Sequence, residues 1–128
     1  MKASIDIARV YGLPARSRGA RFLVDRLWPR GIRKEDIPLE GWLKDAAPST
    51  ALRKWFGHDP ARWSVFRKRY EAELAAHPEG WQPLLAAARK RPVTLLYAAK
   101  DPEHNHALVL QAFLRRRLAR RPGRSTSS

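Results

Sequence analysis

Pro92-Val93-Thr94-Leu95-Leu96-Tyr97-Ala98-Ala99 is apolar at consecutive positions, so as a strand it presents hydrophobic side chains to both faces of a sheet. A strand of that kind sits in the middle of a mainly parallel sheet and is covered on both sides. Two more stretches read as strands. Ile5 to Tyr11 alternates through Ile5, Ile7 and Val10, and Arg21 to Trp28 is ended by Pro29 and Gly31. Gly12 to Ala20, rich in Gly, Pro, Ser and Arg, reads as the loop between them.

The remaining segments carry helical signals. Leu39 to Asp45 reads as a short helix, and Thr50 to Phe56 as another with Ser49 or Thr50 as its cap. Pro60 to Ala76 has Asp59 as cap and Pro60 in the first position. Its stripe of Trp63, Phe66, Tyr70 and Leu74 follows one helical face. Glu79 to Arg89 reads as helix, with Pro83 tolerated in the first turn. The last helix is expected from Pro102, capped by Asp101, through Leu108, Leu110, Leu114 and Leu118. Strands interleaved with helices predict an α/β fold, a small mainly parallel sheet with helices packed on it, as a single three-layer-like domain over residues 1–118. Residues 119–128 are Arg, Pro, Gly, Ser and Thr after Ala119, with nothing to bury, and read as a disordered basic, Ser-rich tail. Ligands of parallel sheets bind beyond the carboxyl ends of the strands. The loops after Tyr11, Trp28 and Ala99 are therefore where a site is expected.

The chain has 128 residues, enough for one core. It has no cysteine, which excludes disulfides, a Cys nucleophile, an Fe–S cluster and Cys-ligated zinc. There is no P-loop, Gly-rich dinucleotide fingerprint or EF-hand pattern. No apolar run approaches the ~18 residues of a membrane span. The opening MKASIDIARVYG lacks the apolar core of a signal peptide, so a cytoplasmic location without a membrane partner is expected. The formal charge is +14, and 19 of the 26 basic residues are arginine. Such a balance suits an anionic ligand or nucleic acid, although abundant Arg, Ala and Pro also reflect a GC-rich genome. Arg115, Arg116, Arg117, Arg120, Arg121 and Arg124 all lie beyond the last acid, Glu103.

Three constellations carry chemistry. In Val24-Asp25-Arg26-Leu27-Trp28-Pro29-Arg30-Gly31, strand alternation would put Asp25 and Leu27 on one face and Arg26 and Trp28 on the other. Asp25 is either a buried anchor for the loop or a carboxylate facing a ligand, with Arg to bind an anion bidentately. In Tyr97-Ala98-Ala99-Lys100-Asp101-Pro102-Glu103-His104-Asn105-His106, a buried strand runs into a helix whose free N–H groups suit a phosphate, with Lys100 at its mouth. His104 and His106 are two apart on a helix and diverge, so no metal site is expected. Between them in the chain, Lys44, Ser49, Arg53, Lys54 and His58 could converge over a site as a lid, with His58 a candidate general base because histidine is the side chain suited to proton transfer near neutral pH.

These blocks together resemble the YeaO-like family of small bacterial proteins, within the family labelled domain of unknown function 488. The matching stretches are Val24–Gly31, Trp42–Ser49, Leu52–Phe56, His58–Pro60, and Thr94–Asp101 with Asn105-His106-Ala107. They span about Ile5 to Leu118. More distant relatives carry Cys-His-Arg near the place of Asn105-His106-Ala107, and this chain cannot share a step that uses that Cys. The resemblance implies that the three constellations act as one set.

The expectation is a cationic pocket at the strand carboxyl ends for an anionic small molecule, phosphate-bearing or nucleotide-like. Asp25, His58 and His106 are the candidate proton carriers. Arg26, Trp28, Arg30, Lys44, Ser49, Lys54, Tyr97, Lys100 and Asn105 are the candidate ligand-binding residues. Acid–base or hydrolytic chemistry ranks ahead of redox, and the residues point to no particular cofactor. The alternative is a nucleic-acid-associated protein acting through the basic surface and the Arg-rich C-terminal helix.

Overall fold

The apolar run of residues 92–99 is hydrogen-bonded on both sides. In the computed structural model, which describes residues 4–12, 19–37 and 39–119, strands β1 (Ile5–Arg9), β2 (Ala20–Leu23), β3 (Gly41–Trp42) and β4 (Val93–Tyr97) form one sheet in the order β1-β4-β2-β3. All pairings are parallel. β4 aligns with β1 from Ile5↔Val93 to Arg9↔Tyr97, and with β2 from Ala20↔Val93 to Leu23↔Leu96. Short β3 lies on the far edge of β2.

Helices α1 (Thr50–Phe56), α2 (Trp63–Ala76), α3 (Gln82–Ala88) and α4 (His106–Ala119) all pack on one face. Ile5, Phe22, Val24, Val93 and Leu95 of the sheet share a core there with Leu52, Phe56, Phe66, Tyr70, Leu84, Leu110 and Leu114. Each such large side chain contributes about 1.5–3 kcal/mol by leaving water. The other face is covered without helices. Leu23, Leu96 and Val10 pack there with Ile37, and Trp28, Ile32, Leu39 and Trp42 are half-buried against them.

Four local expectations are corrected. Leu39 to Asp45 is not a helix: Gly41 and Trp42 are strand, with Glu40 N–H donating to the Arg21 carbonyl and Leu43 N–H to that of Leu23, before a 3-10 turn at Lys44–Ala46. Pairing with an open edge of β2 outweighs the weak propensity of so short a segment. The second strand stops at Leu23, not Trp28. Val24 makes one last bond to the Leu96 carbonyl, and strand alternation does not extend to Asp25–Trp28. Helix α2 begins at Trp63, after a 3-10 turn at Pro60–Arg62 that Asp59 caps. The last helix begins at His106 rather than Pro102. Asp101 caps a tight turn, and the true helix cap is Asn105, whose Oδ1 accepts the Leu108 N–H at 3.0 Å. Apart from Ala119, which closes α4, the expected tail lies outside the described residues, as do residues 13–18 of the first loop.

Candidate functional site

A cavity of about 550 Å³ opens where β2 and β4 end. The chain leaving β2 (Asp25 to Pro29), the chain leaving β4 (Ala98 to Asp101), the start of α4 and the residues around α1 line it. Its base is apolar, with Ala47, Pro48, Phe56 and Phe66, the two phenyl rings stacked at 4.3 Å.

Asp25 is the best-held polar group. Its Oδ2 accepts the Ala98 N–H at 3.0 Å, which ties the end of β2 to the end of β4. Its Oδ1 lies 3.0 Å from His106 Nε2 at the first residue of α4. Both side chains are only 14% exposed. His106 Nε2 is also 3.0 Å from the Val24 carbonyl, and its single proton is better aligned with that oxygen. Buried Asp25 Oδ1 is thus left with the imidazole as neighbour but without a well-directed hydrogen bond. The other ring nitrogen, Nδ1, makes no hydrogen bond among the described residues and is not sealed from solvent. A ring held at one nitrogen by a backbone carbonyl, beside a carboxylate and with its other nitrogen open, has the geometry that a general base needs.

Asn105, 1% exposed, is fully used in structure: besides capping α4, its Nδ2 donates to the Asp101 carbonyl at 2.9 Å. A second His–carboxylate pair stands on the same wall. Asp101 Oδ2 is 2.8 Å from His104 Nδ1, and Asp101 Oδ1 accepts the N–H groups of Glu103 and His104. The Glu103 N–H, followed by the His104 ring, holds the Asp101 carboxyl below its ordinary value. The His104 ring meets Trp63 edge-on at 5.4 Å. Arg26 is spent on its surroundings, donating to the carbonyls of Pro48 at 3.0 Å and Ala47 at 3.2 Å. Lys100 and Arg53, by contrast, are exposed on the rim and have no hydrogen-bond or ion-pair partner among the described residues. His58 follows Gly57 in the left-handed region (φ 58°), exposed at the cavity wall with its ring 6.1 Å from that of Phe56.

Of the residues singled out in the sequence, the structure brings Asp25, Arg26, Trp28, His58, Lys100, Asn105 and His106 to this cavity. Five others do not line it. Arg30 is exposed, and its carbonyl accepts the Tyr11 hydroxyl; Lys44 sits over the Trp42 ring at 4.7 Å; Lys54 faces solvent; and Tyr97 is buried. Ser49 caps α1 and donates to Glu73 at 2.6 Å, beside a separate cavity of about 340 Å³. Arg53 and the Asp101–His104 pair were legible only in part. With Leu52 and Phe56 pointing inward, helical spacing turns Arg53 to one flank, but nothing in the sequence says that the flank faces a cavity.

Among the described residues, no group of three or more His, Cys, Asp or Glu side chains is placed to hold a metal ion. No helix among them is long and apolar enough to cross a membrane. The described arginines of the C-terminal helix are engaged on the protein itself. Arg115 donates to the Ile5 carbonyl at 3.0 Å, Arg116 is 3.3 Å from Glu71, and Arg117 stands over the rings of Trp81 and Phe113.

Comparison with known proteins gives a consistent result. A family model described as "Inactive DUF488-N3 subclade" matches residues 4–128. The chain is 49% identical over 112 residues to "Uncharacterized protein YeaO" of Escherichia coli (strain K12), covering 88% of this chain and 97% of that one. It is 41% identical over 114 residues to "Uncharacterized protein Rv3073c" of Mycobacterium tuberculosis (strain H37Rv), covering 86% and 92%. No solved structure matches the chain at a significant level. The matches run along almost the whole chain, and the protein belongs to the YeaO-like DUF488 family, in the subclade whose model is described as "Inactive DUF488-N3".

Proposed function

We propose that the protein binds a small phosphate-bearing, nucleotide-like anion in the 550 Å³ cavity. The observation that carries this reading is the pairing of an apolar base with two unneutralised cations, Arg53 and Lys100, on the rim. Free cations at the mouth of a hydrophobic pocket suit a ligand with a flat apolar body and an anionic end. The volume lies within the usual range for small-molecule sites, about 300–1,000 Å³. Binding ranks ahead of catalysis because Asn105 offers no nucleophile and is used as a helix cap. The description of the family model as inactive agrees with that order.

The experiment is a thermal-shift and calorimetric screen of nucleoside phosphates, sugar phosphates and inorganic phosphate. A ligand at about 100 times its Kd should stabilise the fold by about 2.7 kcal/mol. Arg53→Gln and Lys100→Gln should each weaken it about tenfold, the size of one lost charged contact, and leave the melting of the free protein unchanged. No shift from any compound, or a shift that survives both substitutions, would sink the reading. One observation favours a second, hydrolytic reading: His106 Nδ1 is open while the Val24 carbonyl holds Nε2 and the Asp25 carboxylate lies beside it. In that case, the same panel would release phosphate with the parent protein and not with His106→Gln.

A further inference from the structure

From Thr50 to Tyr70, Arg53, Lys54, Arg62, Arg67, Lys68 and Arg69 face a single acid, Asp59, and all six cations are exposed. Four of them lie along α1, the Pro60–Arg62 turn and α2, a track of which one member, Arg53, lines the cavity. Arg62 and Arg69, seven residues apart, hold their guanidinium groups over one ring, that of Trp55 in α1, at 5.2 and 4.7 Å. Attraction to the ring face offsets the repulsion between the two like charges. Lys54 precedes Trp55 and faces solvent, and Arg53 before it reaches the cavity rim. Among the described residues, the only carboxylate paired with the track is Asp59, 3.7 Å from Arg62 in an exposed pair, which neutralises little. Arg53, Lys54 and Arg69 have no carboxylate partner among the described residues.

One small anion does not need a row of cations extending away from its pocket. We propose that this track binds the phosphodiester backbone of a single-stranded nucleic acid, whose phosphorylated terminal nucleotide is the ligand of the cavity. The inference rests on the cavity reading above. Charge spaced across two helices and the turn between them suits a repeating polyanion. A cavity of 550 Å³ takes one unstacked nucleotide and excludes a base pair. An anionic membrane fits less well, because the apolar face of α2 is buried and Val65 is its only exposed large hydrophobic residue. The surface so proposed lies on α1, the Pro60–Arg62 turn and α2 rather than on the C-terminal helix.

The test is fluorescence anisotropy of the full chain with an internally labelled oligothymidylate bearing a terminal phosphate, titrated against salt. It should bind at least about tenfold tighter than the matching mononucleotide, and excess mononucleotide should displace it. Each phosphate contact to a single strand contributes about 0.7 to the salt slope. The double substitution Lys54→Gln with Arg69→Gln should lower that slope by about 1.4 and weaken binding at least about tenfold. The charge-matched pair Arg89→Gln with Lys90→Gln, at the other end of β4, should change neither. Equal losses from both pairs would overturn the track, as would an oligonucleotide that binds no tighter than the mononucleotide. In the second case, a mononucleotide that still binds leaves the cavity reading standing. An oligonucleotide that binds but resists displacement by mononucleotide overturns the placement of its end in the cavity. Retention on phosphatidylserine vesicles without oligonucleotide binding would also overturn the proposal.

Discussion

Asp25 does two jobs with one carboxylate: it takes the Ala98 N–H beyond β4, and it faces His106 at the start of α4. The two readings of this residue from sequence, anchor and ligand-facing group, are therefore not exclusive. The backbone bond shows the anchor, and the open Nδ1 of its partner keeps the chemistry available. Asp25→Ala strips the Ala98 N–H of its acceptor and should cost about 1–3 kcal/mol. Asp25→Asn keeps an acceptor oxygen for that N–H and should cost less. Urea denaturation of the two variants checks the order; equal losses would mean that charge, not the backbone bond, makes the contribution.

Legibility varied by element, for physical reasons. β4 is readable because it is covered on both faces, so its composition needs no context. The stripe of α2 is readable because Phe66, Tyr70 and Leu74 are buried on one face. β3 is not readable: two residues carry no period, and only the open edge of β2 makes Gly41 and Trp42 a strand. The start of α4 is misread because Asp101-Pro102 and Asn105 are both plausible caps, and only the three-dimensional path to His106 selects the second. The loop expected after Ala99 lines the cavity, but the loop expected after Trp28 begins earlier, at the end of β2. No described residue after Tyr11 reaches the cavity before Asp25, and the roles of Arg53, Lys54 and Ser49 are not legible. One inter-element bond has a clear pH signature. The Tyr70 hydroxyl of α2 donates to the Ala46 carbonyl in the turn before α1. Burial, reinforced by Glu73 and Asp25 and opposed by Arg26, pushes its pKa well above 10.0. With the folded value raised, this group's contribution is complete below the unfolded value of about 10 and is lost as pH rises through the folded one. Unfolding free energy should therefore fall above about pH 10, with a shallower fall in Tyr70→Phe, which has nothing to titrate. An unchanged alkaline slope in that variant would assign the loss to other groups.

At the scale of the whole molecule, charge sets stability and binding against each other. The formal charge is +14, and the ion pairs among the described residues lie largely at the surface, such as Arg33 with Asp36 and Arg91 with Glu40. Exposed pairs contribute about 0–1 kcal/mol each. Self-repulsion among the excess cations acts throughout the fold and favours the expanded chain. Salt weakens both effects, shortening the screening length from about 30 Å at 0.01 M to about 10 Å at 0.1 M. The repulsion acts over longer distances than the pairs do, so it loses more. The free protein should therefore melt higher as sodium chloride rises over that range. A relief of about 0.5 kcal/mol corresponds to roughly 2–4 °C for a domain near this size. Phosphate-ligand affinity should move the opposite way, because Arg53 and Lys100 act from the exposed rim. Melting curves at the two salt concentrations, with and without a nucleotide, separate the effects. If the free protein melts lower in salt, the surface pairs outweigh the repulsion. If the ligand-induced shift does not shrink, the rim cations are not what holds the anion.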